Sequence, residues 1–193
     1  MKDLTFCCRH ADLLAIQQAA KGAATLTGNL LGVARRYSAG ATYASVTDVL
    51  SAPLDNLARE FARHHITVET DFKPAPAPNV DLNLLSQVCL NLYLNARDAM
   101  IPKGGGTLRV SLRGTADGIE FTVTDTGTGI PEAFRSRIFQ PLQSTKGDRG
   151  TGLGLSVSKS VIESMGGRIR YESVEGLGTS FFVTLPTDPP GRA

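Results

Sequence analysis

The sequence predicts an α/β fold, a two-layer α/β sandwich in which a mixed sheet is covered by helices on one face, preceded by a long N-terminal helix. Three observations carry that expectation. Short segments alternate apolar and polar residues, as in Leu108/Val110/Leu112, Ile119/Phe121/Val123, Ile169/Tyr171 and Phe181/Val183/Leu185, which is the pattern of strands with one buried face. Other segments repeat apolar residues at helical spacing and are long enough to cover such strands. The two kinds of segment follow one another along the chain, so the apolar sheet face and the helix stripes bury one another.

The first forty residues form a separate element. Leu13, Leu14, Ile16, Ala20, Ala24, Leu30 and Leu31 recur at helical spacing between about Asp3 and Tyr37, and Gly40 marks the exit. A lone helix cannot bury so much apolar surface, so it needs a second helix, either a copy in a homodimer or a piece outside this chain. Gly22, Gly28 and Gly32 each weaken it by about 1 kcal/mol relative to Ala, which leaves packing to hold it.

Downstream, Ser45-Val46-Thr47 reads as the start of a strand and Asp48 to Arg63 as a helix. Ile66 to Phe72 reads as a strand with Glu69 and Asp71 outward, and Lys73-Pro-Ala-Pro-Ala-Pro78-Asn79 as a stiff, polyproline-like connector. A helix then runs through Leu82, Leu85, Val88, Cys89, Leu92, Ala96 and Ala99. Leu153, Val157, Val161, Ile162 and Met165 mark the last helix, stopped by Gly166-Gly167. Pro186 to Ala193 reads as a frayed tail or a linker. The expected domains are 1–40, 41–186 and a tail from 187.

Composition excludes several classes. The 193 residues, 41% of them hydrophobic, suffice for one globular core with an appendage. The net charge of +2 and scattered Lys and Arg give no support for a nucleic acid partner. No apolar run reaches the roughly 18 residues that span a bilayer, and no leader pattern opens the chain, so no membrane segment is expected. Cys7, Cys8 and Cys89 make no even framework, which suits a cytoplasmic location. Cys7-Cys8 with His10 has too few ligands at poor spacing for a metal corner.

The chemistry concentrates in three motifs. Asn91 and Asn95 are four residues apart on a helix, so their amides share one face and can reach one ligand. An amide oxygen there can join a hydrated metal and phosphate oxygens, or the two can be core or capping amides. Asp125-Thr-Gly127-Thr-Gly129-Ile130-Pro131 follows a strand that delivers the carboxylate to its own end. An ionised Asp only accepts hydrogen bonds, which suits an exocyclic amine, although the same motif also serves as an ordinary turn. Gly150-Thr151-Gly152-Leu153-Gly154-Leu155 opens a helix, where backbone N–H groups can meet phosphate. It is not the Gly-x-Gly-x-x-Gly of dinucleotide folds, because position 155 is Leu, and the chain has no Walker loop.

In this order, with Ile138-Phe139-Gln140-Pro141, Ser144-Thr145-Lys146 and the closing Gly176-Leu-Gly178-Thr179-Ser-Phe181, the motifs resemble the ATP-binding catalytic domain of bacterial sensor histidine kinases. The resemblance covers about the last 130 residues. It implies ATP and Mg²⁺, with Asn95 on the metal and Asn91 beside metal and phosphates. Asp125 would read adenine, with Gly127, Gly129, Ile130 and Thr179 around the base. Gly150, Thr151, Gly152, Leu153 and Gly154 would flank the triphosphate. Lys146 is a lid cation that could meet the terminal phosphates or stay solvated.

Gyrase, mismatch-repair and chaperone ATPases of the same superfamily carry glutamate at the position of Asn91. An amide cannot take a proton from water at neutral pH, so the resemblance implies phosphate transfer rather than hydrolysis. The stretch Ala19 to Arg36 is similar to the second helix of the kinase dimerisation hairpin, whose first helix bears the acceptor histidine. None of His10, His64 and His65 lies in such a context, so the histidine-bearing helix and a response regulator receiver domain are expected partners in other polypeptides. The alternatives are a serine/threonine kinase or ATPase of the superfamily, and an interaction module with a decayed pocket. Relatives continue with Phe-Glu-Pro-Phe-Phe-Thr-Thr-Lys where this chain has Gln140, Leu142 and Gln143, which removes apolar area from the lid, expected between Arg135 and Gly150. Arg97 falls on a different helix face from Asn95 and is not expected to touch phosphate.

Overall fold

Helix α1 (Val46–Arg63) begins where a strand was expected. Ser45 has extended backbone, and its hydroxyl accepts the Asp48 N–H at 3.1 Å, so the β-branched pair Val46-Thr47 becomes the first helical turn. The computed structural model describes residues 43–142 and 152–188. The chain divides between residues 39 and 40, and every described residue belongs to the second unit. The expected N-terminal helix lies outside the described residues.

After α1 come β1 (Ile66–Phe72), α2 (Leu82–Met100), a 3-10 turn (Ile101–Lys103), β2 (Gly106–Gly114) and β3 (Gly118–Asp125). The short α3 (Glu132–Arg135), α4 (Gly154–Ser164), β4 (Arg168–Val174) and β5 (Gly178–Pro186) complete the order. The strands form one five-stranded mixed sheet in the order β1-β2-β3-β5-β4. β1 and β2 are parallel, with α2 as their crossover, and all other pairs are antiparallel.

The sheet has two unlike faces. Leu108, Val110, Leu112, Ile119, Phe121, Val123, Phe181, Val183 and Leu185 are all buried on one side. The other side carries cross-strand polar pairs, among them Arg109 with Glu69 at 2.6 Å and Arg113 with Glu120, and Arg170 stacks 3.7 Å above the Phe182 ring. Among the described residues, helices cover only the apolar face, as the alternation requires.

Helix α2 is the middle of that cover. Asp81 caps its start by accepting the Asn83 and Leu84 N–H groups. Leu85, Val88, Cys89, Leu92, Tyr93, Ala96 and Met100 are buried around most of its circumference, because α1 and α4 flank it and the sheet lies beneath. Tyr93 donates to Leu50 O of α1 at 3.0 Å, and Arg97 bridges Glu60 of α1 and Asp98, each at 2.6 Å. Burial pushes the Cys89 thiol well above its ordinary range, which makes it a packing residue rather than a reactive one.

Chain ends and connectors follow from local chemistry. Residues 73–78 cross without regular structure, as the prolines require, and His64 caps the end of α1. The segment expected to fray from Pro186 is tied further along. Pro186 pairs with Gly118, while Thr187 donates to Asp117 O and accepts from Asn79 N, both at 3.0 Å.

A one-sided sandwich makes a direct prediction about two phenylalanines. Phe121, fully buried between sheet and helices, should cost about 3–5 kcal/mol when changed to Ala, whereas Phe182→Ala on the outer face should cost less than half as much. Urea unfolding of the two variants checks this, and equal losses would contradict the one-sided cover.

Candidate functional site

Asn91, Asn95 and Ala99 succeed one another at four-residue spacing, so they line one face of α2 over about 12 Å. At one end Asn91 Nδ2 donates to Ser158 Oγ of α4 at 2.9 Å. A Cβ on Gly154 would overlap Asn91 Oδ1, so glycine is what lets the start of α4 lie against this amide. At the other end a Cβ on Gly127 would come within 2.6 Å of the Ala99 backbone, and Thr128 N–H donates to Ala99 O at 3.0 Å. Half-buried Asn95 stands between the two contacts.

The turn that meets Ala99 begins at Asp125, the last residue of β3. Register sets Asp125 opposite Thr179 of β5, both on the helix-covered face and both only 5% exposed. The carboxylate accepts Gly127 N–H at 2.8 Å. Burial raises its pKa to about 6, while hydrogen bonds from the Gly127 and Thr179 backbone and the nearby Lys103 charge pull it down. A buried acceptor close to neutrality is thus held at the sheet's end.

The rest of the turn is anchored to the β4–β5 hairpin. Ile130 N–H donates to Ser173 Oγ at 2.8 Å, Ser173 Oγ donates to Gly178 O at 3.0 Å, and Thr179 Oγ1 lies 3.0 Å from the same hydroxyl. Gly129 takes a φ of 69°, and Gly176 N–H donates to Thr128 O at 2.7 Å. The structure therefore gathers Asp125, Gly127, Gly129, Ile130 and Thr179 into one cluster.

The second cluster is the start of α4. Gly152 has a φ of 64° and buried Leu153 precedes the first helical residue, and no side chain among the described residues caps the N-terminal amides of α4. Lys146, Gly150 and Thr151 lie outside the described residues. Of the expected lid, Arg135 to Leu142 is described. Tyr171 OH donates to Arg135 O at 2.7 Å, Phe139 meets the Tyr171 ring edge-on at 5.9 Å, and Lys159 Nζ lies 5.5 Å over Phe139. Phe139 thus docks this segment on its own domain, whereas Leu142 is 68% exposed.

Arg97 is tied to Glu60 and Asp98. No group of three His, Cys, Asp or Glu residues that could hold a metal occurs among the described residues. Any metal here would rest on amide oxygen, phosphate and water, which is Mg²⁺ chemistry rather than that of Zn²⁺. An apolar groove of about 350 Å³ between α1 and β1, lined by Leu54, Phe61, Ile66 and Val68, includes none of the site residues. No helix among the described residues is long and apolar enough to cross a membrane.

Three supporting residues escaped the sequence reading. Ser158 is a buried polar residue on an otherwise apolar helix stripe, four residues after Gly154, and that exception was its signal. Ser173 gave no signal, because its partners come from two other segments, the turn after Asp125 and the start of β5. Lys103 donates to Thr126 O at 2.8 Å and Gly176 O at 3.0 Å, and reaches Gly127 O at 3.4 Å. Its sequence context is an unremarked Pro-Lys-Gly turn.

Comparison with known proteins places this fold in a family. The family described as Histidine kinase-, DNA gyrase B-, and HSP90-like ATPase matches residues 80–189, a span that holds every site residue from Asn91 to Thr179. Sensor kinase CckA of Brucella abortus (strain 2308) is 38% identical over 191 residues, covering 91% of this chain and 20% of that protein. Sensor histidine kinase ZraS of Salmonella typhi is 46% identical over 106 residues, 55% of this chain and 22% of that protein. The chain spans about a fifth of the length of these curated relatives. The nucleotide-free catalytic domain of histidine kinase ThkA matches with a TM-score of 0.67 at 25% identity, covering 75% of this chain and 96% of that one.

Burial of Asp125 has a measurable consequence for the protein without nucleotide. Its folded pKa of about 6 lies above an ordinary carboxylate's, so its contribution to stability is complete below about pH 4 and is lost as pH rises through 6. Asp125→Asn removes that loss. Its stability relative to wild type should rise between pH 4 and pH 7 by up to about 3 kcal/mol in urea unfolding, and a difference that stays constant with pH would contradict the burial effect.

Proposed function

This chain belongs to the histidine kinase-, DNA gyrase B- and HSP90-like ATPases, and from that premise we propose that it holds Mg²⁺·ATP and delivers the γ-phosphate to a histidine that lies outside these 193 residues. The observation that carries the reading is the Asn91–Asn95–Ala99 face of α2, which joins the start of α4 to the Asp125 turn. Adenine would sit at the Asp125 end. An ionised carboxylate has about four lone-pair positions, so beyond its backbone donors Asp125 can accept the exocyclic amine of the base.

Phosphates would lie toward the start of α4, where uncapped N–H groups and the positive end of the helix dipole favour anions. Asn95, midway between the ends, is the residue that would hold Mg²⁺ through its amide oxygen. The ion would supply charge neutralisation on the phosphate oxygens. Asn91, fixed by Ser158 and Gly154, orients the phosphate end without acting as a base. Positioning and electrostatics are what phosphoryl transfer needs from a protein, and the absence of a carboxylate at Asn91 leaves water unactivated.

The similarity to CckA and ZraS supports a sensor-kinase context, in which a response regulator receiver domain would take the phosphate from the histidine. The acceptor would be a histidine outside this sequence; His64 and His65 stand at the end of α1, just before β1.

Incubating the chain with γ-labelled ATP, Mg²⁺ and a separate histidine-bearing hairpin should put acid-labile label on the hairpin. Steady release of phosphate without transfer, or acid-stable label on serine, would contradict the histidine reading. Asn95→Ala should keep the fold by circular dichroism yet lose at least about tenfold in Mg²⁺-dependent ATP affinity. Unchanged calorimetric affinity in Mg²⁺ would remove Asn95 from the metal.

A further inference from the structure

We propose that Lys103 is a positioning residue of the base pocket, whose ammonium fixes the orientation of the Thr126–Gly127 peptide and through it the Asp125 carboxylate. The inference rests on the reading of Asp125 as the acceptor for adenine. Its geometric basis is that one peptide unit is gripped at both ends. The carbonyl of Thr126 accepts from Lys103 Nζ at 2.8 Å, and the N–H of Gly127, in the same peptide plane, donates to Asp125 Oδ1 at 2.8 Å.

A peptide is planar, so its C=O and N–H point in opposite directions and turn together. A cation on the oxygen and an anion on the N–H select a single orientation. Thr126 is itself pinned, because its N–H donates to Thr107 O at 3.2 Å and its Oγ1 accepts Thr107 N–H at 2.9 Å. Gly127 on the other side carries no Cβ to resist rotation. Without the ammonium, a flip of this one plane would turn a carbonyl oxygen toward Asp125 in place of the N–H. The carboxylate would lose a donor and meet a partial negative charge.

Lys103 is also well placed to hold the turn against its neighbour. Its ammonium carries three N–H donors and finds three carbonyls, those of Thr126, Gly127 and Gly176, from two separate segments. The Gly176 contact adds to Gly176 N–H···O=C of Thr128, so the β4–β5 hairpin tip and the Asp125 turn are joined twice. With its donors occupied by backbone, Lys103 acts through the turn and not on phosphate. Its charge also favours ionised Asp125, the form that accepts from an amine.

Calorimetry on the full chain tests this with Lys103→Met and Lys103→Arg, each titrated with ATP and with inorganic triphosphate in Mg²⁺. Lys103→Met should bind ATP about tenfold more weakly while triphosphate affinity changes less than about twofold. Lys103→Arg, which keeps the charge and several donors, should restore most of the ATP affinity. Undiminished ATP binding by Lys103→Met overturns the inference. Equal losses for ATP and triphosphate, or no recovery in Lys103→Arg, overturn it too, because they would mean general damage. Failure of the wild type to prefer ATP to triphosphate would instead refute the adenine reading itself.

Discussion

Pairing of Asp125 with Thr179 across β3 and β5 is the constraint on which the site depends. It sets a carboxylate on the apolar, helix-covered face at the end of the sheet, where burial works against its charge and two backbone N–H groups work for it. A one-residue slip would turn Asp125 outward to solvent and Thr124 inward, and the pocket would lose its acceptor. The antiparallel register of β3 and β5 therefore carries more functional weight than any loop around it.

Helix α2 passes that constraint to the rest of the molecule. Its burial on nearly every side fixes its rotation, and rotation decides that Asn91, Asn95 and Ala99 share the face running from Gly154 to Gly127. The glycines at both ends act as close-contact positions. At Gly127 the neighbour is backbone, which cannot yield, whereas at Gly154 it is a side chain, whose displacement would move Asn91 without unfolding the domain. On the proposed reading, the base end is thus rigid by packing and the phosphate end by an amide held between Ser158 and a glycine.

Much of this was legible in the sequence for identifiable reasons. Alternation located β2, β3 and β5, since each buries only one face, and helical spacing located α2 and α4. Their motif residues follow because each stands at an element's end or on one stripe. Ser45–Thr47 misled, because two β-branched residues resemble a strand until the Ser45 hydroxyl is seen to cap the helix. Loss of lid aromatics suggested poor docking, yet Phe139 alone reaches Tyr171 and Lys159. Lys103 and Ser173 could not be read, since contacts spanning up to 73 positions leave no local pattern. Ser158 could have been, as the one polar residue at a buried helical position of α4.

The central claim is that a buried, ionised Asp125 reads the base. Calorimetric affinity for ATP, divided by that for inorganic triphosphate to cancel titration of the phosphates, measures it directly as a function of pH in Mg²⁺. With a free-site pKa of about 6, the ratio should hold steady above that pH and fall as pH drops below it, approaching about tenfold per pH unit, and Asp125→Asn should abolish the slope. A wild-type ratio that stays flat from pH 5 to pH 8 would contradict the account.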